Sequence, residues 1–270
     1  MISNLRRTLS SLALLITTLS VYSPYVKSPD LADETPFSGA RSLSYEILNV
    51  LPHSTRHFTQ GLFFHEEKLY ESIGHYGQSA LLRYSADMES IPLNRALSAK
   101  YFAEGATIHK GVIYQLTWRA GEAFAYLPKR LTKQEGFTYE GQGWGLTSDN
   151  EHLWMSDGSD QLKRIDTQGN ILSTVNVTHN GNPLNRLNEL EWVNGKIFAN
   201  RWYDQRIYVI NPTTGKVTHS LNLAALAQPE LARSREHVLN GIAWQPETQT
   251  LWITGKNWQS LYELKIEAFE

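Results

Sequence analysis

The sequence contains no cysteine, which excludes disulfides, thiol catalysis, cysteine-ligated zinc and a lipid-modified N-terminal cysteine. Charged residues make up only 19% of the chain, below the usual quarter, and the formal net charge is −2. No basic surface of the kind that binds nucleic acid is therefore expected. A hydrophobic fraction of 41% within 270 residues is enough for one all-β domain or two smaller ones.

The chain also lacks an apolar run of the roughly 20 residues that a membrane-spanning helix needs. Arg6 and Arg7 precede a shorter apolar stretch, residues 9–21, interrupted by Ser and Thr. This pattern is typical of a secretory signal peptide over residues 1–23, with an uncleaved N-terminal anchor as the alternative. The proline-containing residues 24–41 are interpreted as a linker. We therefore expect a periplasmic or secreted protein whose contact with a membrane is limited to that anchor.

A short pattern recurs five times, with successive starts 44, 40, 44 and 52 residues apart. The starts are Gln60, Glu104, Trp144, Asn188 and Asn240. Ten residues after each start, or twelve in the fifth copy, stands an aromatic: Tyr70, Tyr114, Trp154, Phe198 and Trp252. The two extra residues in the fifth copy are expected in a longer hairpin. A period of about 40–50 residues built from short strands is typical of a β-propeller.

Each copy predicts two strands joined by a tight turn, followed by a third and a fourth strand. In the second copy the strands are residues 105–108 and 112–118. In the fourth, Asn194-Gly195 between two apolar runs is the strongest short hairpin signal. Third strands are predicted at residues 81–84, 124–127, 162–165, 207–210 and 261–266, and outer strands at 171–177 and 217–223.

The last copy ends at its third strand, and a spare strand at residues 44–51 precedes the first copy. We expect this strand to complete the last blade and close the ring, which removes two exposed edges. The predicted fold class is all-β, a five-bladed β-propeller over residues 42–270, with a helix at 222–236. An open β-sandwich with accidental internal similarity is the alternative.

A propeller brings equivalent positions of all blades to one axis. The Gly or Leu beside each start is retained, whereas the residue at the start itself varies. Such variation is expected if the five start residues line one pocket and each has a different role there. A second set of positions ends the second strands: Gly74, Trp118, Gly158, Trp202 and Lys256. We interpret both sets as the wall of one pocket.

Structural explanations for these residues stay open. A single Trp in a β-protein is more often core than ligand wall. Glu104 could be a solvated loop carboxylate, and Asn188 and Asn240 could cap turns. The nine His show no ligand spacing, and the pair His53 and His57 stands on no predicted helix. We interpret the histidines as surface residues and predict no metal site from them.

Two further features carry no functional prediction. Glu189 and Glu191 flank a strand and could be an exposed pair. The glycines of residues 141–145 are not followed by Lys-Ser/Thr and enter a strand, so they do not form a phosphate-binding loop.

Eight stretches resemble the glutaminyl-peptide cyclotransferases of the plant and bacterial type: residues 58–62, 69–79, 114–118, 143–147, 155–159, 187–191, 238–243 and 251–258. The resemblance covers residues 42–270, and it implies a five-bladed propeller unrelated to the animal zinc-dependent enzymes. It implies cyclisation of the N-terminal glutamine of peptides or proteins to pyroglutamate, with release of ammonia. It also implies that no cofactor is required, while a structural cation can occupy the central channel.

The resemblance assigns site residues by motif: Gln60, Glu104, Trp118, Trp144, Asn188, Trp202 and Lys256. The family's central carboxylate falls on Glu104, although Ala106 stands where a larger apolar residue is expected. We expect Glu104, Lys256 and Asn188 to be catalytic. Binding of the substrate is assigned to Gln60, Trp118, Trp144, Trp202 and Asn240.

The reaction needs one proton to leave the attacking amine and one to reach the departing amide nitrogen. A single carboxyl group between the two nitrogens, Glu104, could make both transfers, and tryptophans around it would raise its pKa. Gln60, Asn188 and Lys256 could donate hydrogen bonds to the carbonyl oxygen.

Two other functions stay open for a chain that we expect to be a monomer. One is a non-catalytic propeller that binds a peptide terminus or a sugar. The other is a lactonase-like metal-dependent hydrolase, for which Glu104, Asn188 and Asn240 are the ligand candidates.

Overall fold

The structure is a computed structural model that describes residues 39–269. The predicted signal peptide or anchor and nearly all of the predicted linker lie outside the described residues. In the described range the chain forms one helix, α1 (Ala224–Arg233), and 23 strands. The strands are β1 Arg41–Leu43, β2 Tyr45–Pro52, β3 Thr59–His65, β4 Lys68–Ile73, β5 Ala80–Arg83, β6 Leu93–Ala96, β7 Ala103–His109, β8 Val112–Thr117, β9 Glu122–Leu127, β10 Thr132–Thr138, β11 Leu146–Ser148, β12 Leu153–Ser156, β13 Gln161–Ile165, β14 Ile171–Asn176, β15 Thr178–His179, β16 Asn182–Pro183, β17 Leu187–Val193, β18 Lys196–Arg201, β19 Arg206–Ile210, β20 Val217–Asn222, β21 Leu239–Gln245, β22 Thr250–Gly255 and β23 Ser260–Ile266.

The strands form five antiparallel blades, and β15 pairs with β16 in a separate small hairpin. From the inside outward the blades are β3-β4-β5-β6, β7-β8-β9-β10, β11-β12-β13-β14, β17-β18-β19-β20 and β21-β22-β23-β2. The predicted five-bladed propeller is therefore confirmed, and so is the helix before the fifth blade. Within residues 39–269 no helix is long and apolar enough to cross a membrane.

The repeat has the same register in all five blades. The aromatic of each copy pairs across the first hairpin with the residue three positions after the start. The pairs are Tyr70 with Phe63, Tyr114 with Thr107, Trp154 with Thr147, Phe198 with Glu191 and Trp252 with Ala243. The hairpin of the fifth blade has four residues, 246–249, against two in the fourth, which explains its longer spacing.

These aromatics also hold neighbouring blades together. Each lies in an apolar cluster shared by its own blade and the next. Phe198 of the fourth blade, for example, packs with Ile242 and Leu251 of the fifth. Trp252 of the fifth blade packs with Leu62 and Leu69 of the first, so the ring of cores is closed. Five cores between blades exclude the open β-sandwich.

The ring is closed by the N-terminal strand, as predicted. Strand β2 pairs antiparallel with β23 from Tyr45–Ile266 to Pro52–Ser260 and becomes the outer strand of the fifth blade. The chain then enters β3, the inner strand of the first blade. One addition was not predicted: β1 pairs in parallel with β20 and extends the fourth blade to five strands.

Near the axis, backbones of neighbouring blades approach closely at the glycine that follows a start. A Cβ on Gly105 would lie 2.6 Å from the Leu146 nitrogen of the next blade, and one on Gly145 would lie 2.0 Å from the Asn188 oxygen. Such distances are shorter than any real Cβ contact, so only glycine fits there. The retained glycine of the repeat is therefore an architectural residue.

Candidate active site

Four of the five starts lie in β-bulges of the inner strands. The pairing with the second strand shifts between Thr59 and Gly61, and the same shift recurs around Glu104, Asn188 and Asn240. A bulge leaves a residue out of the ladder and re-aims its side chain, and bulges are common beside active sites. The starts therefore present their side chains differently from the rest of the inner strands.

The second set of positions is tethered in the same way in four blades. The backbone N–H of each residue donates to the carbonyl of the residue two positions before its own start. The bonds run from Gly74 to Phe58 at 2.8 Å, from Trp118 to Phe102 at 2.9 Å, from Trp202 to Arg186 at 2.9 Å and from Lys256 to Val238 at 3.0 Å. Both predicted sets therefore meet at one end of the propeller.

The neighbouring blade fixes the bulge that carries Glu104. Ser72 Oγ of the first blade donates to the Glu104 carbonyl at 2.5 Å, and Gln115 Nε2 donates to Ser72 Oγ at 2.9 Å. The equivalent serine of the third blade, Ser156, donates to the Asn188 carbonyl at 2.6 Å. The placement of both side chains thus depends on two blades at once.

The tryptophans form a connected, half-buried wall. Trp118 Nε1 and Trp144 Nε1 both donate to Gln142 Oε1, at 2.6 and 3.0 Å. The rings of Trp144 and Trp202 meet edge to face with centroids 5.7 Å apart. A Cβ on Gly158 would lie 2.6 Å from the Trp144 ring, so the glycine at this position makes room for the indole.

Glu104 is buried, with 5% of its surface exposed. Burial raises the pKa of its carboxyl well above the usual range, and the nearby charge of Lys256 opposes that rise only in part. The structure thus rules out the alternative of a solvated loop carboxylate. A carboxyl group with a raised pKa is better able to donate a proton than an ordinary glutamate, and its ionised form can accept one.

Lys256 is buried as well, with 6% exposed. Burial lowers its pKa to about 8, although the charges of Glu104 and Glu236 favour the protonated form. Its Nζ lies 4.7 Å from the centroid of the Phe58 ring, which provides a cation–π contact. The ammonium group is therefore held beside Glu104 in a partly desolvated position.

The amide residues divide into two kinds. Asn240 is fully buried, and its Nδ2 donates to Thr59 O at 2.8 Å and to Gln60 Oε1 at 3.2 Å. Asn240 therefore fixes the orientation of Gln60, and its direct contact with a substrate stays a prediction. Asn188 is 2% exposed, and its Oδ1 has no hydrogen-bond partner in the part of the chain that the structure describes.

Glu189 and Glu191 are buried on the inner strand β17, so the interpretation of an exposed pair is wrong. Glu189 stands where other blades have glycine, and its Oε1 accepts from the Leu62 backbone of the first blade at 3.2 Å. Glu191 accepts from the Trp244 backbone at 2.9 Å. Burial raises the pKa of both carboxyls, that of Glu191 to about 8.

The interpretation of the histidines as surface residues is also wrong for the buried His109 and His219. It is wrong as well for His53 and His57. Their rings lie beside the buried carboxyl of Glu71, with 1% and 12% of the side chains exposed. The three side chains bring ligand-type atoms within 4.8 Å of one another. Sequence spacing did not reveal this cluster, because Glu71 comes from a separate strand, β4.

Three site residues were missed from the sequence: Phe58, which lies under Lys256; Phe102, whose ring contacts Trp118 with centroids 5.7 Å apart; and Gln142, which joins two tryptophans. Each stands two positions before a start. The repeat therefore contained the signal, as a third set of equivalent positions.

Fold and site together define a five-bladed propeller whose two sets of equivalent positions supply a buried carboxyl, a buried lysine and a tryptophan wall. The sequence profile described as glutamine cyclotransferase matches residues 16–266. A glutaminyl-peptide cyclotransferase of Arabidopsis thaliana is 33% identical over 227 residues, 82% of this chain and 71% of the plant protein. The crystal structure of Myxococcus xanthus glutaminyl cyclase matches with a TM-score of 0.79 at 33% identity, covering 86% of this chain and 100% of the other. The chain belongs to the glutamine cyclotransferase family.

The contrast between wall and core tryptophans generates a prediction. Trp202→Ala should lower kcat/KM about tenfold, mainly through KM, which equals a loss of about 1.4 kcal/mol in substrate contact. Its free energy of unfolding should change by less than about 1 kcal/mol, because the residue is partly exposed and lies outside the apolar clusters between blades. Peptide kinetics and thermal melts measure the two effects.

Phe198→Ala is the matched control, since Phe198 is fully buried between two blades. It should cost about 3–5 kcal/mol of stability and leave KM nearly unchanged in the folded fraction. If Trp202→Ala behaves like this control, Trp202 is a core residue and not part of the pocket.

Proposed function

We propose that this protein cyclises the N-terminal glutamine of peptides and proteins to pyroglutamate with release of ammonia. It would then be an acyltransferase of the aminoacyltransferase class. The family and its two relatives support the activity. The observation within this chain that carries it is the buried Glu104 carboxyl, whose pKa responds to the charge of the equally buried Lys256.

The substrate supplies both reacting groups. Its α-amine nitrogen forms a bond to the γ-carboxamide carbon, and the bond from that carbon to the amide nitrogen breaks. The amine nitrogen loses one proton and the departing nitrogen gains one, so the products are the neutral lactam and ammonia. Because the reaction is intramolecular, holding the near-attack conformer removes much of the barrier.

Glu104 is the proposed proton shuttle. Its protonated carboxyl delivers a proton to the departing amide nitrogen, and the resulting carboxylate takes one from the attacking nitrogen. The pKa raised by burial suits the first of these transfers.

Lys256, Asn188 and Gln60 are proposed to stabilise the carbonyl oxygen as negative charge develops on it. All three carry N–H donors and are at most 6% exposed, so their dipoles act in a medium of low dielectric. The ammonium group of Lys256 also disfavours protonation of a nearby substrate amine. Trp118, Trp144 and Trp202 would pack around the glutamine side chain and exclude water.

A structural cation in the channel is a separate proposal, supported by buried oxygen atoms. Asn188 Oδ1, Glu189 Oε2 and Asn240 Oδ1 have no hydrogen-bond partner within residues 39–269, and all three stand at the starts of inner strands. Amide and carboxylate oxygens are the ligands of hard cations such as Ca²⁺. A cation there would hold Glu189 in its ionised form.

The setting of the protein is proposed from the N-terminal sequence alone. Its basic start and short apolar run support export to a periplasm or the exterior, with cleavage or with retention of the anchor. We further propose that the propeller acts as a monomer, since the pocket is built from residues of one chain.

The turnover of a peptide with N-terminal Gln tests the function directly. Mass spectrometry should show loss of ammonia. Acetylation of the α-amine should abolish turnover because it removes the nucleophile, and N-terminal Asn should react poorly because it would need a four-membered ring. Efficient release of ammonia from the acetylated peptide would indicate simple amide hydrolysis and contradict cyclisation.

The dependence of kcat/KM on pH should be bell-shaped. Activity rises as the substrate amine loses its proton, with a pKa near 7.7–8.0. It falls again as Lys256 loses its proton, with a pKa of about 8. A maximum near pH 8 is expected. An activity that keeps rising to pH 10 would show that the charge of Lys256 is not needed.

Glu104→Gln keeps the shape of the side chain but removes its proton transfer. We expect kcat to fall about 10²–10⁴-fold with an unchanged melting temperature. Glu135→Gln, on the exposed outer strand of the same blade, is the control and should retain full activity. A variant at position 104 that keeps more than about a third of kcat would remove Glu104 from the mechanism.

Exhaustive chelation separates a structural cation from a catalytic one. EDTA treatment should lower the melting temperature and leave kcat at 25 °C unchanged, because the cation is proposed to join strands and takes no part in proton transfer. Complete loss of kcat with a folded protein, restored by added calcium or zinc, would contradict this proposal.

A further inference from the structure

Glu71 is a fully buried carboxylate that lies outside the proposed reaction. It stands on β4 and receives four hydrogen bonds. Oε1 accepts from Thr59 Oγ1 at 2.7 Å and lies 3.1 Å from His53 Nε2. Oε2 accepts from Tyr84 OH at 2.6 Å and lies 2.9 Å from His57 Nδ1. An ion buried so deeply requires a compensating positive charge nearby.

The neighbours of His53 identify that charge. His53 Nε2 faces the Glu71 carboxylate at 3.1 Å, and His53 Nδ1 faces the Trp258 carbonyl at 3.0 Å. Both partners can only accept hydrogen bonds. With Glu71 ionised, both ring nitrogens of His53 carry protons, and the ring is an imidazolium.

Three further groups complete the hydrogen bonding of the carboxylate. His57 donates from Nδ1, and Thr59 and Tyr84 donate through their hydroxyls, so each oxygen of Glu71 receives two donors. The same atoms are near enough for a metal site. Each of them, however, is already bonded directly to another member of the cluster, and one imidazolium neutralises the one carboxylate.

The cluster joins the two segments that carry Gln60 and Lys256. On one side, His53, His57 and Thr59 belong to the stretch that leads into Gln60. On the other side, the stretch 255–259 contains Lys256 and is bonded to the first stretch at several points. The bonds run from His53 N to Gln259 O at 2.8 Å, from Asn257 N to His57 O at 2.8 Å, from Asn257 Nδ2 to Thr55 O at 2.9 Å and from His53 Nδ1 to Trp258 O at 3.0 Å.

We propose that His53 and Glu71 are positioning residues, a buried imidazolium–carboxylate pair that holds the Lys256 segment against the strand carrying Gln60. Neither residue touches the reacting atoms. The pair acts by fixing the ammonium group of Lys256 over Phe58 and the amide of Gln60 beside Asn240. The inference rests on the proposed roles of Lys256 and Gln60.

The electrostatics of the cluster agree with this assignment. Burial by itself would lower the pKa of His53. The charge and hydrogen bond of Glu71 raise it by more, and the Trp258 carbonyl and the charge of Glu230 contribute in the same direction. The net shift of the His53 pKa is therefore upward. Burial by itself would raise the pKa of Glu71, but the neighbouring His53 and His57 lower it by more, so the pKa of Glu71 lies well below its usual range.

These directions fix the pH window of the pair. The stabilisation from His53 is complete below its ordinary pKa of 6.5 and is lost as the pH rises through the higher value of the folded state. The stabilisation from Glu71 is complete above its ordinary pKa of 4.5 and is lost as the pH falls through the lower value of the folded state. The pair is therefore intact between these limits.

Two measurements on the unmodified protein test the pair itself. In a pH titration, ¹⁵N chemical shifts should show both ring nitrogens of His53 remaining protonated to a pH above the ordinary histidine pKa of 6.5. Elemental analysis of the purified protein should find no stoichiometric zinc. Chelation should accordingly leave the signals of His53 and His57 unchanged. A neutral His53 ring, or one zinc per chain bound through these histidines, overturns the proposal.

Glu71→Gln tests the positioning role, with Glu66→Gln as the matched control. Glu66 is exposed, and its Oε1 lies 3.9 Å from His65 Nε2. Removal of the Glu66 charge should therefore leave kcat within about twofold of the unmodified protein. Glu71→Gln should lower kcat about tenfold, a fraction of the 10²–10³-fold cost of removing an oxyanion donor. It should also move the alkaline limb of kcat/KM up by about one unit, because water reaches Lys256 and relieves the desolvation that lowers its pKa.

A folded Glu71→Gln variant with kcat within twofold and an unmoved alkaline limb overturns the proposal. If the variant does not fold, Tyr84→Phe removes one of the four donors and retains the ring, and a severalfold loss of kcat with the same upward shift is expected. An unchanged profile there also overturns it. If the unmodified protein releases no ammonia from Gln peptides, the proposed function fails, while the state of the His53 ring still decides whether the buried pair exists.

Discussion

Closure of the ring is the constraint on which the rest of this structure depends. Strand β2 completes the fifth blade and leads directly into the first, so one short strand fixes the positions of two blades. Trp252 then packs between them as Tyr70, Tyr114, Trp154 and Phe198 pack between the others. Only a closed ring brings five inner strands close enough for Gly105 and Gly145 to touch the neighbouring backbone.

The same close approach creates the chemistry of the site. It removes water from polar side chains at the starts of the inner strands, and burial then shifts acids and bases in opposite directions. The pKa of the Glu104 carboxyl is raised well above its usual range, and the pKa of the Lys256 ammonium group is lowered to about 8. Neither pKa shift is intrinsic to the residue, since an exposed glutamate or lysine has its usual pKa.

Support for the site comes from neighbouring blades. Ser72 of the first blade holds the Glu104 bulge of the second, and Asn240 of the fifth blade orients Gln60 of the first. The Glu71 cluster extends this principle, because it ties the segment of Lys256 to that of Gln60 through one buried ion pair. A displacement of one blade would therefore disturb Glu104, Gln60 and Lys256 together.

The sequence by itself determined the blade count, the closing strand and the two sets of equivalent positions at one end of the propeller, because a repeat imposes equal geometry on equal positions. The roles of these residues in a site stay predictions. The sequence also contained the positions of Phe58, Phe102 and Gln142, two residues before the starts. Tertiary structure alone decided that Glu189, Glu191, His53 and His57 are buried. Each has a local sequence typical of the surface, and its partners come from other strands or blades. Burial and charge pairing depend on distances through space, which a local pattern along the chain does not specify.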